Sequence, residues 1–248
     1  MPVRLYRADL HIHTVLSACA EVEMIPPFIV DEALAKGLDL IAVTDHNAIG
    51  NAAAVMEAAE GTELHVLPGM EFQAQEEVEF LCIFETLEQA SAWQDVVMDH
   101  LPRRENDPER FGPQFVVNAE GDFVTEDMHF YQGAARISLS EAARMVRELG
   151  GLVIPAHIDR PTKGLLGVLG LWPPDFEADA AALSCNLRPS QARKRFPFLP
   201  NIPLIANSDA HWLDAIGTTM TLFEMKAPTV TELRLAFRGE GKRRVHVP

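Results

Sequence analysis

The sequence predicts an α/β fold, a barrel or a doubly wound sheet, and three observations predict it. Its 248 residues suit one large domain, and an α/β barrel commonly needs about this many. Short apolar runs alternate with helix-like stretches along most of the chain. Several of those runs, LIAVT at 40–44 and LVIPA at 152–156 among them, lack the alternation of a half-exposed strand. Strands covered on both faces read this way, as in a parallel sheet wrapped by helices.

Taken in order, strands are expected at 3–10, 38–44, 65–70, 78–84, 152–156, 178–184, 202–206 and 218–224. Helices are expected between them. PFIVDEALAK at 27–36 is stopped by Gly37, a common helix terminator. The stretch 51–60 opens on the capping-type residue Asn51 and ends before Gly61. The stretch 140–149 carries Glu141 in its first turn and runs into Gly150-Gly151. A final helix at 231–237 is closed by Gly239.

One region breaks the rhythm. From about 100 to 137 the chain carries Pro102, Pro108 and Pro113, then QFVVNAEGDFVTED. Two β-rich pieces flank 118–122, so a small hairpin turning near Gly121 is expected. About 40 residues rarely build an independent core, so this segment reads as an insertion. No internal repeat is present, and the short basic tail GKRR at 241–244 reads as a solvated end.

Composition narrows the function classes. With 48% apolar residues the chain can bury a substantial core, which excludes intrinsic disorder. Twenty-one Lys and Arg against 36 Asp and Glu give a net charge of −15, which argues against sequence-independent nucleic-acid binding. No apolar run approaches the roughly 20 residues of a membrane span, and the N-terminal MPVRLYRADLHIHT lacks a signal peptide's apolar stretch. Cys19, Cys82 and Cys185 are odd in number and far apart, so a reducing cytoplasm is expected.

The histidines and carboxylates carry the chemistry. His11 and His13 follow the first apolar run; Asp45 and His46 follow LIAVT; Glu71 follows VLPGM; His157 follows LVIPA; Asp209 and His211 follow PLIAN. Each group lies just past the C-terminal end of an expected strand, and in parallel α/β folds those ends converge where active sites form. Residues i and i+2 of a strand point to one side, so His11 and His13 can share a metal. Any one of these groups alone is weak evidence. Packed together they would be costly to hold without bound cations. Mixed imidazole and carboxylate donors suit Zn²⁺, Mn²⁺ or Fe²⁺ better than Mg²⁺, and eight or so ligands call for two or three ions. His65 begins a strand at the wrong end, His100 and His246 lie in polar or terminal contexts, and His129 lies in the insertion; these are expected to stay out of the site.

The ordered motifs DLHIHT, TDHN, PGMEF, PAH and NSDAH resemble the signatures of the polymerase and histidinol phosphatase (PHP) superfamily, from Ala8 to about Trp212. The resemblance implies a distorted (β/α)₇ TIM-like barrel spanning 1–248, with the insertion at about 100–137 on it, and a trinuclear metal site in a phosphoesterase. It implies that His11, His13, Glu71 and Asp209 surround one ion. Glu71 would bridge to a second, which His157 also binds, and His46 and His211 would hold the third. Asp45 would be an orienter of the site or a proton acceptor.

Two positions depart from the pattern. Where many members carry a histidine on the strand after the Glu motif, this chain has Glu79, either a harder ligand that would shift preference toward Mn²⁺ or Mg²⁺ or a solvent-facing strand residue with this ligand lost. Where relatives place Asp or His after the His-x-His pair, this chain has Ala18 and Cys19. Cys19, Glu21 or Glu23 could substitute, or Cys19 could be a buried structural residue. The third ion would then be weakened or lost.

The expected reaction is hydrolysis of a phosphate ester by a hydroxide bridging two ions, with no protein nucleophile. Arg160 and Lys163, just beyond His157, could clamp the phosphate, or Arg160 could pair with Asp159 or Glu177. The expected partner is a small phosphorylated substrate, with no duplex nucleic acid and no membrane. Two rivals are a degenerate domain that binds metal or nucleotide without turnover, and a metal-dependent amidohydrolase. The second ranks lower because no lysine follows a strand where a carboxylated lysine would be needed.

Overall fold

A computed structural model describes residues 2–248 of the chain. Its elements run β1 (Arg4–Ile12), α1 (Pro26–Ala35), β2 (Leu40–Val43), α2 (Ala52–Ala58), β3 (His65–Gln73), β4 (Glu79–Ile83), α3 (Leu87–His100) and α4 (Pro108–Phe111). They continue with β5 (Phe115–Val117), β6 (Phe123–Glu126), α5 (Leu139–Glu148), β7 (Leu152–Pro155), α6 (Leu165–Leu169), β8 (Ala181–Leu183) and α7 (Pro189–Arg195). The chain ends with β9 (Leu204–Ala206), a 3₁₀ turn at Leu213–Ala215, β10 (Thr221–Met225), α8 (Val230–Phe237) and β11 (Arg244–His246). Among the described residues no helix is long and apolar enough to cross a membrane.

The main sheet has the order β11-β10-β1-β2-β3-β4-β7, and β8 and β9 form a separate parallel pair. Single hydrogen bonds, one to a side chain and one between backbones, help close the curl where ladders stop. Asn207, just after β9, accepts from the Leu10 backbone N–H of β1 at 3.1 Å, and Ile158 donates to the carbonyl of Ala182 on β8. The result is a distorted TIM-like barrel, as expected. It is not all parallel. β1, β2 and β3 run together, whereas β4 pairs antiparallel with both β3 and β7, and β10 is antiparallel to β1. The reversal of β4 matters, because it puts that strand's first residue, Glu79, beside Gln73 at the far end of β3.

Alternating residues build two layers. Tyr6, Ala8 and Leu10 of β1, Leu40 and Ala42 of β2, Leu67 of β3, Leu81 and Ile83 of β4 and Leu152 and Ile154 of β7 fill the interior. On the outside, Phe72 and Phe80 pack edge-on at 5.3 Å, and Phe72 meets Trp93 of α3 at 5.1 Å. Burying side chains of this size contributes about 1.5–3 kcal/mol each.

The insertion forms the expected hairpin, β5 and β6, turning at Gly121 with φ of +86°. Helix α3 was not foreseen. It starts at a capping box in which Thr86 and Gln89 satisfy each other's backbone N–H, and it buries Ala90, Trp93 and Val97 on one face. The α5 cap is Ser138, two residues earlier than the expected helix start. Asn51 precedes α2 as expected but spends its amide elsewhere, bonding Thr14, Phe115 and Val117 and so tying the hairpin to the barrel.

Candidate metal centre

The barrel interior changes character at its mouth. Along β3 the inward column reaches Glu71, and along the reversed β4 it begins with Glu79. On β1 a shift in pairing register falls between Asp9 and Ile12. Leu10 faces the interior while Ile12 packs outward with Ile29 and Val43, so the irregularity re-aims the strand end. It turns both His11 and His13 into the mouth, their Nε2 atoms 3.1 Å apart. The 207–217 segment is pinned over this end. Ala210 exchanges backbone hydrogen bonds with His11 and His13, and the buried Asp9 carboxylate accepts from the N–H groups of Ser208 and Gly217 at 3.0 Å.

Five imidazoles and three carboxylates meet there. Glu71 Oε1 lies 3.2 Å from His11 Nε2 and 3.0 Å from His157 Nε2, and its Oε2 lies 3.3 Å from His13 Nε2 and 3.1 Å from His46 Nδ1. Asp209 Oδ1 is 3.2 Å from His11 and 3.4 Å from His13. Glu79 Oε2 is 3.3 Å from His157. The His211 ring stacks on His13 with centroids 4.1 Å apart. Its Nδ1 bonds the Asp209 carbonyl at 2.9 Å.

Two cations join from the loop after β7. Arg160 Nη2 lies 2.6 Å from Asp209 Oδ2, and Lys163 Nζ lies 2.6 Å from Glu79 Oε1. Arg160 therefore pairs with Asp209 rather than with Asp159, whose carboxylate accepts from Ser184, or with Glu177, which lies beside Arg147. Of the six non-glycine residues with positive φ among those described, Asn47, His157, Lys163 and Asp209 lie at this mouth. Backbone strain of this kind gathers at functional sites.

Protonation follows from contact. Burial and the neighbouring His46 would lower the pKa of His13, but hydrogen bonds to Asp209 and Glu71 raise it to about 9. Burial likewise disfavours charge on His157, and Glu71 and Glu79 overcome it, again to about 9. His46 is raised well above its ordinary value against its burial, by Cys19 and Glu71. Burial would raise Glu71 and Asp209; the charge of His11 and bonds to its neighbours hold both below the ordinary carboxylate range.

Donors of three groups lie within 4.8 Å of one another: His11, His13, Glu71 and Asp209; His13, His46 and His211; and His46, Glu71 and Glu79. These donors fit divalent ions. Imidazole nitrogens this close to one another and to carboxylate oxygens need a cation between them, a proton in the metal-free chain or a divalent ion once loaded, and mixed nitrogen and oxygen donors suit zinc, manganese or iron.

The remaining expected positions divide cleanly. Asp45 is buried at the mouth, but its carboxylate turns away from the cluster, accepting from the Thr14 N–H, the Thr14 hydroxyl and the Ser17 hydroxyl, each at 2.7 Å. Cys19 is exposed rather than buried in a core. Desolvation of its thiol would raise the pKa, but hydrogen bonds from His211 and His46 bring it down to about 5. His65 lies at the opposite end of the barrel beside Leu40; His100 bonds Val96, His129 bonds Asp127, and His246 bonds Glu224. Asp9 and Ser17 were missed, because what they do depends on partners brought from elsewhere in the chain.

The PHP domain family matches residues 9–158, and a family described as PHP-associated matches 200–240. Uncharacterized protein YqxK of Bacillus subtilis (strain 168) is 31% identical over 109 residues, 41% of this chain and 27% of the relative. The lesion-specific endonuclease PfuEndoQ of Pyrococcus furiosus has the same fold, with a TM-score of 0.71 at 23% identity over 98% of this chain and 58% of that one. Endonuclease Q in complex with a 27-mer duplex substrate, an abasic lesion at its active site, gives 0.68 at 22% identity over 97% and 58%. The chain thus spans well under two thirds of the length of these relatives. One expectation is corrected here: duplex nucleic acid is not excluded as a partner, since endonuclease Q, which has this fold, takes a duplex substrate with an abasic lesion at its active site. The physical reason is that net charge averages over the surface, whereas Arg160, Lys163 and any bound ions set the sign at the mouth. With its family match covering more than half the sequence and the motif residues meeting at one mouth, the chain belongs to the PHP domain family.

Proposed function

We propose that this chain hydrolyses phosphate esters at the mouth cluster, with nucleic-acid phosphodiesters among its substrates. Two or three divalent ions would be held by His11, His13, Glu71 and Asp209, by Glu71, Glu79 and His157, and by His46 and His211. The observation that carries this reading is the contact of five imidazoles and three carboxylates at one barrel mouth beside two cations. Ions held there supply Lewis acidity and bring the pKa of a water toward neutrality.

The rest falls to the chain's own groups. Glu71 turns one oxygen to His11 and His157 and the other to His13 and His46, so it ties the donor set together. Asp45 acts as a positioning residue through Ser17. Arg160 keeps donors beyond the one given to Asp209, and a guanidinium matches two phosphate oxygens at once. Lys163 adds a second positive charge on the same side. The 100–137 insertion packs against the entrance, Phe115 donating to the carbonyl of Val15, and is placed to shape what enters.

The likeness to endonuclease Q supports trying a nucleic-acid phosphodiester first. The test incubates the chain and Mn²⁺ with an abasic duplex oligonucleotide, an undamaged duplex and a panel of phosphate monoesters. Cleavage that disappears with a chelator and in His11→Ala supports the reading. Bound metal without turnover in every arm overturns it in favour of a binding module.

A further inference from the structure

Glu79 and Lys163 are tied together twice. The Glu79 N–H donates to the Lys163 carbonyl at 2.9 Å, and Lys163 Nζ lies 2.6 Å from Glu79 Oε1. Lys163 holds φ of +62°, a left-handed conformation that a lysine adopts at a cost. Gly164 beside it leaves no room for a side chain: an added Cβ would stand 2.6 Å from the carbonyl oxygens of both His157 and Arg160. The loop is wound tightly, and its winding delivers an ammonium to a carboxylate that is only 2% exposed.

That carboxylate belongs to the group His46, Glu71 and Glu79. A divalent ion sharing Glu79 Oε1 would sit almost in contact with the ammonium, and like charges a few ångströms apart repel. Charge balance points the same way. Glu71, Glu79, Asp209 and the buried Asp45 against Arg160 and Lys163 leave two negative charges, which two divalent ions already more than offset.

We propose that the Lys163 ammonium takes the place of one divalent ion, giving a centre of two metal ions and one fixed organic cation. This rests on the metal-dependent reading above and deepens it. The ammonium neutralises Glu79 without occupying a coordination position, and it presents a charge that no chelator removes.

The test is metal content per chain, by plasma mass spectrometry, after loading with excess Mn²⁺ or Zn²⁺ and desalting. Two ions per chain are expected for the unsubstituted protein and for Lys163→Arg, and three for the double variant Lys163→Met with Glu79→His. Three ions in the unsubstituted chain, or two in a folded double variant, would overturn the role of Lys163. The unsubstituted count needs no variant to fold. A chain that takes up no ion would overturn the metal reading itself, whereas three ions with ester cleavage intact would remove only the substitution proposed here.

Discussion

Ser17 Oγ lies 2.9 Å from Nδ1 of His13, and that contact fixes which nitrogen keeps its proton when the ring is neutral. The same hydroxyl lies 2.7 Å from Asp45 Oδ1, and a carboxylate only accepts. Ser17 therefore donates to Asp45 and accepts from His13 Nδ1–H, and also from the His46 backbone N–H at 3.2 Å. Once a metal ion displaces the proton on His13 Nε2, the lone pair of that nitrogen points toward Glu71 and Asp209. Partners of this kind are worth about 10–100-fold in metal affinity, and a loss of that size is expected for Ser17→Ala in competition with a chelator. Unchanged affinity would mean that packing alone orients the ring.

His11→Ala and Asp209→Ala are expected to abolish both metal loading and turnover, since each removes a donor from the group around Glu71. His65→Ala should leave both intact, because that ring sits at the opposite end of β3. Metal content and product release, measured on the same preparations, separate the two cases. Full activity in His11→Ala would place the chemistry elsewhere.

The sequence showed the main barrel strands and most of the cluster because both follow local rules. Apolar runs of strand length locate β1, β2, β3, β4 and β7 within a few residues. The i, i+2 spacing of His11 and His13 survives folding as a 3.1 Å contact. What it hid depends on tertiary context. The reversal of β4 leaves no local mark, yet it alone explains how Glu79, at a strand start, reaches the mouth. Ser17 looks like any loop serine until Asp45 arrives from 28 positions away. Helix α3 has local marks of its own, the Thr86–Gln89 box and the spacing of Ala90, Trp93 and Val97.

Stability of the metal-free chain should fall as pH rises. His13 and His157 have folded pKa values raised from 6.5 to about 9, so their contribution is complete below about 6.5 and fades through about 9. Glu71 and Asp209 are shifted the other way, and their contribution is lost only in acid, below the ordinary carboxylate range. Metal ions compete with the imidazole protons, so the stabilisation they confer should grow over the same window, from about 6.5 to about 9. Thermal melts across that range, with chelator and with Mn²⁺, should therefore diverge as pH rises. Parallel curves would show that His13 and His157 exchange no proton for metal.

The loop that carries Arg160 and Lys163 can be tested through a glycine that meets its backbone and neither cationic side chain. A Cβ on Gly167 would overlap the Arg160 carbonyl oxygen and approach Pro161 Cα at 2.7 Å, and neither atom is a flexible side chain that could swing aside. In Gly167→Ala the loop must shift, and the two cations shift with it. Misplacement by about 1 Å can cost about 100-fold in rate, so a fall of that order in kcat/KM is expected with metal content retained. Overpacking also costs about 1–3 kcal/mol of stability, which by itself could be mistaken for the cause. Gly170→Ala supplies the control. Gly170 holds φ of +71° with nothing within 4 Å of an added Cβ, so the same methyl strains the backbone there without pushing on the loop. Comparable destabilisation with activity kept in Gly170→Ala and lost in Gly167→Ala would assign the loss to the placement of the cations. Loss of bound metal in Gly167→Ala would instead route the effect through His157, at the head of the same loop.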